Sequence, residues 1–222
     1  MCFSASASFI ASTALFGGGV ASIKQTSRAA QVPFAVIPLM FSIQQLSEGF
    51  VWLSLTNSDY SAFEKPSTYV FMFFAQVIWP SLVPLSIYFL EENPLRKKIL
   101  LILLGIGAAV SIYVTYSLLF YSVKASISSH HIVYYSYFPH QKGLVASVVY
   151  LLPTVVPPFI SGIKKMNVLG MIIIISLVVT KLFFSRYLVS VWCYFAAIIS
   201  LIVFYIIKEL RANYFRSLKV SL

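Results

Sequence analysis

The chain has 222 residues, of which 59% are hydrophobic and 10% are charged. Soluble globular domains carry about 25% charged residues, so this composition excludes an ordinary soluble protein. The formal net charge of +10 is not accompanied by any nucleic-acid-binding module. We therefore interpret the charge as a signal of membrane orientation and expect no nucleic-acid partner.

Seven long apolar segments divide the chain. A hydrocarbon core about 30 Å thick is crossed by about 20 apolar residues in a helix. Each segment is longer than a strand of an outer-membrane barrel and lacks period-2 alternation, which favours helices. We predict an all-α, polytopic, single transmembrane domain over residues 1–222, a bundle of seven helices. The spans lie near residues 3–23, 32–55, 68–90, 99–121, 143–163, 168–184 and 188–207.

The basic residues predict how this bundle is oriented. Lys and Arg are concentrated in the first, third and fifth connections and after the last span. Because basic residues collect in cytoplasmic loops, the N-terminus is predicted outside and the C-terminus in the cytoplasm. We expect a multi-pass protein of the bacterial inner (cytoplasmic) membrane. Residues 208–222 then form a basic cytoplasmic tail that lies against anionic lipid headgroups.

Cys2 lies at the predicted outer end of the first span. It could form a disulfide with Cys193, act as a thiolate ligand or redox site, or only pack as a small hydrophobic side chain. The sequence leaves these three interpretations open.

Glu48, in the outer half of the second span, is the most informative single residue. A carboxylate at membrane depth is costly and usually faces a bundle interior or a cavity. Gln44 lies one turn earlier on the same face, Gln45 is adjacent, and Gln76 lies in the outer part of the third span. A metal ligand, a proton acceptor or a substrate-binding group would explain Glu48. A neutral carboxyl that joins helices by hydrogen bonds is the structural alternative, and we favour a functional role.

All three histidines occupy the outer connection after the fourth span. His140 follows Pro139 and precedes the fifth span, so its imidazole could be directed at the Glu48 region. We interpret His130 and His131 as solvated loop residues. The aromatic run 133–138 is expected to lie at the membrane interface.

Trp192 and Cys193 lie in the outer half of the seventh span, so the Cys, His and Glu48 side chains are all predicted on one side of the membrane. A Cys/Glu/His set suits a transition metal such as Zn²⁺, although no ligand pair has a diagnostic spacing. The candidate metal ligands are Cys2, Glu48, His140 and Cys193. The candidate ligand-binding residues are Glu48, Gln44, Gln45, Gln76, Trp52 and Trp192.

Three stretches of sequence resemble an uncharacterised family of bacterial integral-membrane proteins. They are Met-Cys-Phe-Ser-Ala-Ser-Ala-Ser-Phe at residues 1–9, Ile-Gln-Gln-Leu-Ser-Glu-Gly-Phe-Val-Trp at 43–52 and Ser-Val-Trp-Cys-Tyr-Phe-Ala-Ala at 190–197. The resemblance spans nearly the whole chain. It implies a membrane protein with a site shared by these three stretches and implies no known activity.

Three functions fit this arrangement. The first is a polar site around Glu48 that binds a metal ion or a small ligand. The second is a proton- or cation-coupled transporter or channel, in which Glu48 is the coupling group. The third is a non-catalytic subunit of a larger membrane complex, with protein partners. No pair of a nucleophile and a base is visible in the sequence, so whether the chain is an enzyme stays open.

Overall fold

The computed structural model describes residues 4–139 and 143–220, and helices dominate this part of the chain. The structure is that of a mainly helical integral membrane protein. Its elements are α1 (Ala5–Lys24), α2 (Val32–Ala35), α3 (Ile37–Thr56), α4 (Glu64–Phe73), α5 (Trp79–Leu90), α6 (Pro94–Phe120), β1 (Val123–Ser128), β2 (His131–Ser136), α7 (Leu144–Val155), α8 (Pro157–Ile160), α9 (Lys164–Phe183), α10 (Leu188–Ser200) and α11 (Ile202–Val220).

Six helical segments among the described residues are long and apolar enough to cross a membrane. They are Ala5–Lys24, Ala29–Thr56, Ser58–Leu90, Pro94–Phe120, Lys164–Phe183 and Ser185–Arg216. Each coincides with one of the predicted spans, and the last contains both α10 and α11. A π-helical turn, Phe74–Ile78, joins α4 to α5 within the third segment.

The predicted fifth span, residues 143–163, is not one long helix. It consists of α7, with 12 residues, and the four-residue α8. Pro157 and Pro158 open α8, and a proline cannot donate the backbone hydrogen bond that would continue the preceding helix. The described residues thus contain six full-length candidate spans and one shorter, broken apolar segment.

A β-hairpin replaces the expected interfacial aromatic loop between α6 and α7. Strands β1 and β2 pair antiparallel, with Val123 opposite Ser136 and Ser128 opposite His131. The two-residue turn is Ser129-His130, and both residues have positive φ, 47° and 65°. A turn with φ > 0 at both central positions matches the right-handed twist of the flanking strands.

The hairpin covers one end of the bundle. Ala125 and Ile132 pack against Val51 and Trp52 of α3. His131 is buried, and its ring stacks on Tyr187 with centroids 4.4 Å apart. Burial holds the pKa of His131 below its usual value, with the nearby His130 adding to the effect. The expectation of a solvated His131 was therefore wrong.

Polar contacts tie together four segments at the opposite end of the bundle. Arg28 pairs with Glu92, with 3.4 Å between Nη1 and Oε1. The Gly162 N–H donates to Glu91 Oε2 at 2.7 Å, and Arg211 Nη1 donates to Gln25 Oε1 at 2.8 Å. The connections after α1, α5 and α8 therefore meet one another and α11.

Helix α1 runs antiparallel along α3. The Ser12 hydroxyl donates to the Ser42 carbonyl at 2.9 Å, and the Ser42 hydroxyl donates to the Ser12 carbonyl at 2.8 Å. Close approach is possible because a Cβ at Gly19 would lie only 2.7 Å from the Leu39 nitrogen. Small residues of this kind let transmembrane helices pack tightly.

Candidate functional site

Glu48 is completely buried on α3. The Ser190 hydroxyl of α10 donates to Glu48 Oε1 at 2.5 Å. The second carboxyl oxygen, Oε2, has no hydrogen-bond partner among the described residues. One oxygen of the carboxyl group therefore joins α3 to α10.

Two glutamine side chains surround this carboxyl group. Gln44 and Gln45 are both fully buried. Trp79 Nε1 of α5 donates to Gln44 Oε1 at 2.8 Å, and the Gln44 side chain also faces the Cys193 thiol. The Gln45 side chain faces Glu48. Residues of α3, α5 and α10 thus form one buried polar group, which we call the Glu48 cluster: Gln44, Gln45, Glu48, Trp79, Ser190 and Cys193.

Buried polar atoms without a regular hydrogen-bond partner are concentrated at and beside this cluster. Within the described part of the chain they include Glu48 Oε2, Gln44 Nε2, both polar side-chain atoms of Gln45, and Nε1 of Trp52 and of Trp192. An unsatisfied polar group in hydrocarbon costs several kcal/mol. The set contains donors and acceptors, so it can hold a group that both accepts and donates hydrogen bonds.

Ser8 of α1 adds a further hydroxyl without a described partner, and it is fully buried. Ser12 lies against Ser42 in the antiparallel α1–α3 pair. One turn toward the start of α1 corresponds to one turn toward the end of α3. Ser8 is therefore at the level of Gln45.

Two cavities lie along α10, one on each side of the Glu48 cluster. The first, about 80 Å³, is lined by apolar and aromatic side chains together with Trp79, Trp192 and Cys193. The second, about 100 Å³, lies between β2 and residues 185–190, and its wall includes Arg186 and Ser190. Both cavities therefore share wall residues with the Glu48 cluster.

The structure brings some of the candidate residues together and leaves others untested. Glu48, Gln44 and Gln45 form the centre, and Trp192 directly precedes Cys193 of the cluster on α10. Trp52 lies one turn after Glu48 on α3. Gln76 is half-buried within the π-helical turn, and Trp79, three residues later, is the side chain that bonds Gln44.

The described residues give little support to the predicted metal site. Cys2 and His140 lie outside them, so their predicted roles are not tested. Cys193 is a buried free thiol near Glu48. Among the described residues, no group of three or more His, Cys, Asp or Glu side chains could hold a metal ion.

Sequence reasoning missed Ser190, Trp79 and Ser8 as site residues. Ser8 and Ser190 lie within the first and the last of the three family-like stretches, respectively, and this position was the signal that could have identified them. Trp79 is three residues after Gln76. Its sequence gives no sign of a role in the site, because tryptophan is common in membrane helices.

A protein-family model described as "Family of unknown function (DUF6629)" matches residues 1–217. The chain belongs to this family. The DUF6629 range contains every residue of the Glu48 cluster, and it agrees with the resemblance to an uncharacterised family. The searches of curated proteins and of solved structures found no match.

Proposed function

We propose that this DUF6629 protein binds a small ligand at the Glu48 cluster through several hydrogen bonds. The observation that supports this function is the concentration of buried, unpaired donors and acceptors around Glu48. Purely structural polar groups in membrane helices pair with one another or with backbone carbonyls. Here Glu48 Oε2 and Gln45 Oε1 stay available although the surrounding side chains are packed.

The donor set favours a hydrogen-bonding ligand over a transition metal. The described neighbours of Glu48 and Gln44 are amide, indole and hydroxyl groups and a single thiol. Zn²⁺ in proteins is bound by thiolate, imidazole and carboxylate groups. A metal ion at this site would need Cys2 and His140 as further ligands.

The test is native mass spectrometry of protein purified in mild detergent without chelator, with elemental analysis of the same samples. We expect the wild type to carry an adduct that Glu48→Gln loses, because the amide keeps the side-chain shape but replaces an oxygen acceptor. Ser54→Ala is the matched control. Ser54 is buried on the same helix, and its hydroxyl bonds the Val51 carbonyl of its own helix.

Each other outcome of this experiment selects an alternative. Near-stoichiometric metal in the wild type that is lost in Glu48→Gln would indicate a metal site instead of a site for a hydrogen-bonding ligand. Absence of any adduct, together with proton flux into liposomes that Glu48→Gln abolishes, would indicate the transporter. Constant co-purifying subunits and full tolerance of Glu48→Gln would indicate the complex subunit.

We further propose that the chain crosses the bacterial inner membrane seven times, with α7 and α8 together as the fifth crossing. The contacts Arg28–Glu92 and Glu91–Gly162 support this topology. Each joins two connections that are separated by two crossings of the membrane and that therefore lie on the same side. Basic residues also predominate at this end, which fits a cytoplasmic side with the 208–222 tail on anionic lipids.

A further inference from the structure

The cavity between β2 and residues 185–190 connects the protein surface to the Glu48 cluster. Among the residues of its wall, Ser185 and Arg186 are exposed, whereas Ser190 is fully buried. The Ser190 hydroxyl donates to Glu48 Oε1, so the same side chain borders the cavity and holds the Glu48 carboxyl group. The cavity therefore leads from the hairpin side of the protein to the cluster.

The wall of this cavity suits water. Four of its residues have polar side chains: Tyr134, Ser185, Arg186 and Ser190. A water molecule needs polar partners and about 10–15 Å³ of space, and the volume of the cavity is about 100 Å³. Water and water-soluble molecules can therefore occupy it.

The hairpin closes this route in the structure. The Tyr187 hydroxyl is hydrogen-bonded to the side chains of Ser128 and Ser129, and the Tyr135 side chain is hydrogen-bonded to Arg186. These contacts hold the hairpin against the segment that precedes α10. Surface contacts of this kind open at a smaller free-energy cost than global unfolding. The hairpin can therefore move while the helices stay folded.

The size of the cavity and the unpaired atoms of the cluster define what can enter and bind. An engineered cavity of about 150 Å³ holds benzene, so a cavity of about 100 Å³ takes a smaller molecule. The buried atoms without a described partner include the donors Gln44 Nε2 and Trp52 Nε1 and the acceptor Glu48 Oε2. A ligand that satisfies them must both accept and donate hydrogen bonds.

We propose that the Glu48 cluster receives its ligand from the aqueous phase through this cavity. The ligand is a water-soluble molecule, smaller than benzene, that both accepts and donates hydrogen bonds. This inference rests on the proposed function above and names the ligand class and its entrance.

Alkylation of single cysteines tests the entrance. In a background with Cys2→Ala and Cys193→Ala, Ser190→Cys places a thiol in the wall of this cavity. Ser200→Cys is the matched control, because Ser200 is also buried on α10 but borders the other, apolar cavity. The two reagents are chloroacetamide, which is smaller than benzene, and its N-phenyl derivative, which is larger and more soluble in lipid.

The ratio of the two alkylation rates is the measured quantity, because it cancels differences in thiolate fraction between sites. The exposed Lys124→Cys gives the ratio for a freely accessible thiol. We expect the preference for chloroacetamide at Ser190→Cys to exceed this reference by about tenfold. Ser200→Cys should show no such preference. Val189→Cys, at the adjacent wall residue, replaces Ser190→Cys if that variant does not fold.

Truncation of Tyr187 tests the closure by the hairpin. Tyr187→Ala removes a wall residue and its hydrogen bonds to the hairpin. It should raise the rate of alkylation at Ser190→Cys by about tenfold, because the open form becomes more populated. Tyr137→Ala is the control, since Tyr137 is exposed and lies outside the cavity wall, and it should leave the rate unchanged.

The outcomes separate this inference from the proposed function. Equal ratios at Ser190→Cys and Ser200→Cys, or a preference for the N-phenyl reagent at Ser190→Cys, would overturn the aqueous entrance. An adduct heavier than benzene that Glu48→Gln loses in native mass spectrometry would keep the proposed function and reject the ligand class. Absence of any adduct would reject the proposed function even if chloroacetamide reached Ser190→Cys.

Discussion

Two buried carboxyl groups of this chain, those of Glu48 and Glu91, differ in how many of their oxygens accept hydrogen bonds. Glu91 Oε1 accepts from the N–H groups of Glu92 and Asn93, at 3.1 and 3.0 Å, and its Oε2 accepts from Gly162 at 2.7 Å. Both oxygens are therefore used, and the residue joins two connections at the end of the bundle. Glu48 is at bundle depth and keeps one oxygen unpaired. This difference separates a structural carboxylate from a candidate binding group.

Glu91→Gln should lower the free energy of unfolding by about 1–3 kcal/mol at neutral pH, because one of the accepting oxygens becomes a donor facing N–H groups. Burial acts to raise the pKa of Glu91, but the N–H groups of Asn93, Gly162 and Glu92 and the Arg96 guanidinium outweigh it. The pKa therefore lies below the ordinary value of 4.5. The carboxylate stabilises the fold above its unfolded pKa, and this contribution is lost as the pH falls through its folded pKa.

Thermal unfolding in detergent, at neutral and at acid pH, measures this difference. The gap between the wild type and Glu91→Gln should narrow on acidification. Glu92→Gln is the control, because Glu92 is 87% exposed in its pair with Arg28, and exposed pairs contribute about 1 kcal/mol or less. Equal losses in the two variants would contradict the structural role given to Glu91.

At the scale of elements, the long helices could be predicted and the interruptions could not. Hydrophobic length alone identifies Pro94–Phe120 and Lys164–Phe183, because nothing else buries so long an apolar helix. The hairpin was missed because its turn is Ser129-His130, whereas Asn-Gly or Asp-Gly is the usual signal for that turn type. The strand 131–136 is also rich in aromatic residues, which favour the membrane interface as well as β-structure.

The crossing of α6 over α5 depends on one glycine. A Cβ at Gly107 would overlap the Pro80 carbonyl oxygen, whereas a Cβ at Gly105 meets nothing within 4 Å. The obstacle at Gly107 is backbone, so it cannot rotate away as a side chain would. The close contact therefore requires glycine at position 107 and not at 105.

Gly107→Ala should destabilise the protein by at least about 1–3 kcal/mol, because the two helices must separate to admit the methyl group. Gly105→Ala should be neutral or stabilising by up to about 1 kcal/mol, since alanine has the higher helix propensity. Unfolding of both variants in the same detergent, followed by circular dichroism, measures the contrast. A Gly107→Ala protein as stable as Gly105→Ala would show that α5 and α6 do not touch there.

At the scale of the whole molecule, the sequence could place the candidate residues in the same half of the bundle but could not predict their pairwise contacts. Topology places Glu48 and Cys193 in the same half of the bundle from the number of crossings alone. The Ser190–Glu48 hydrogen bond joins residues 142 positions apart, and no local periodicity encodes such a contact. Trp79 reaches Gln44 after a π-helical turn, and hydropathy does not reveal that turn.

The number of crossings decides whether the two ends of the chain lie on opposite sides of the membrane. The segment from α7 to α8 decides this number, because its 12 and 4 helical residues would together rise only about 24 Å at 1.5 Å per residue. Lys124 on the hairpin and Lys164 at the start of α9 flank this segment, and both are exposed. They therefore report directly on whether it crosses.

Single-cysteine variants at these two positions, in a background with Cys2→Ala and Cys193→Ala, test the seven-crossing topology in intact cells. We expect a membrane-impermeant maleimide to label Lys124→Cys at once and Lys164→Cys only after permeabilisation, because the hairpin is predicted outside and the basic connections inside. Asp59→Cys and Glu92→Cys, both exposed, are controls for the outer and inner sides. Labelling of Lys124→Cys and Lys164→Cys from the same side would mean that α7 and α8 enter and leave the membrane on one face. The cytoplasmic C-terminus would then have to be abandoned if the hairpin still proved to be outside.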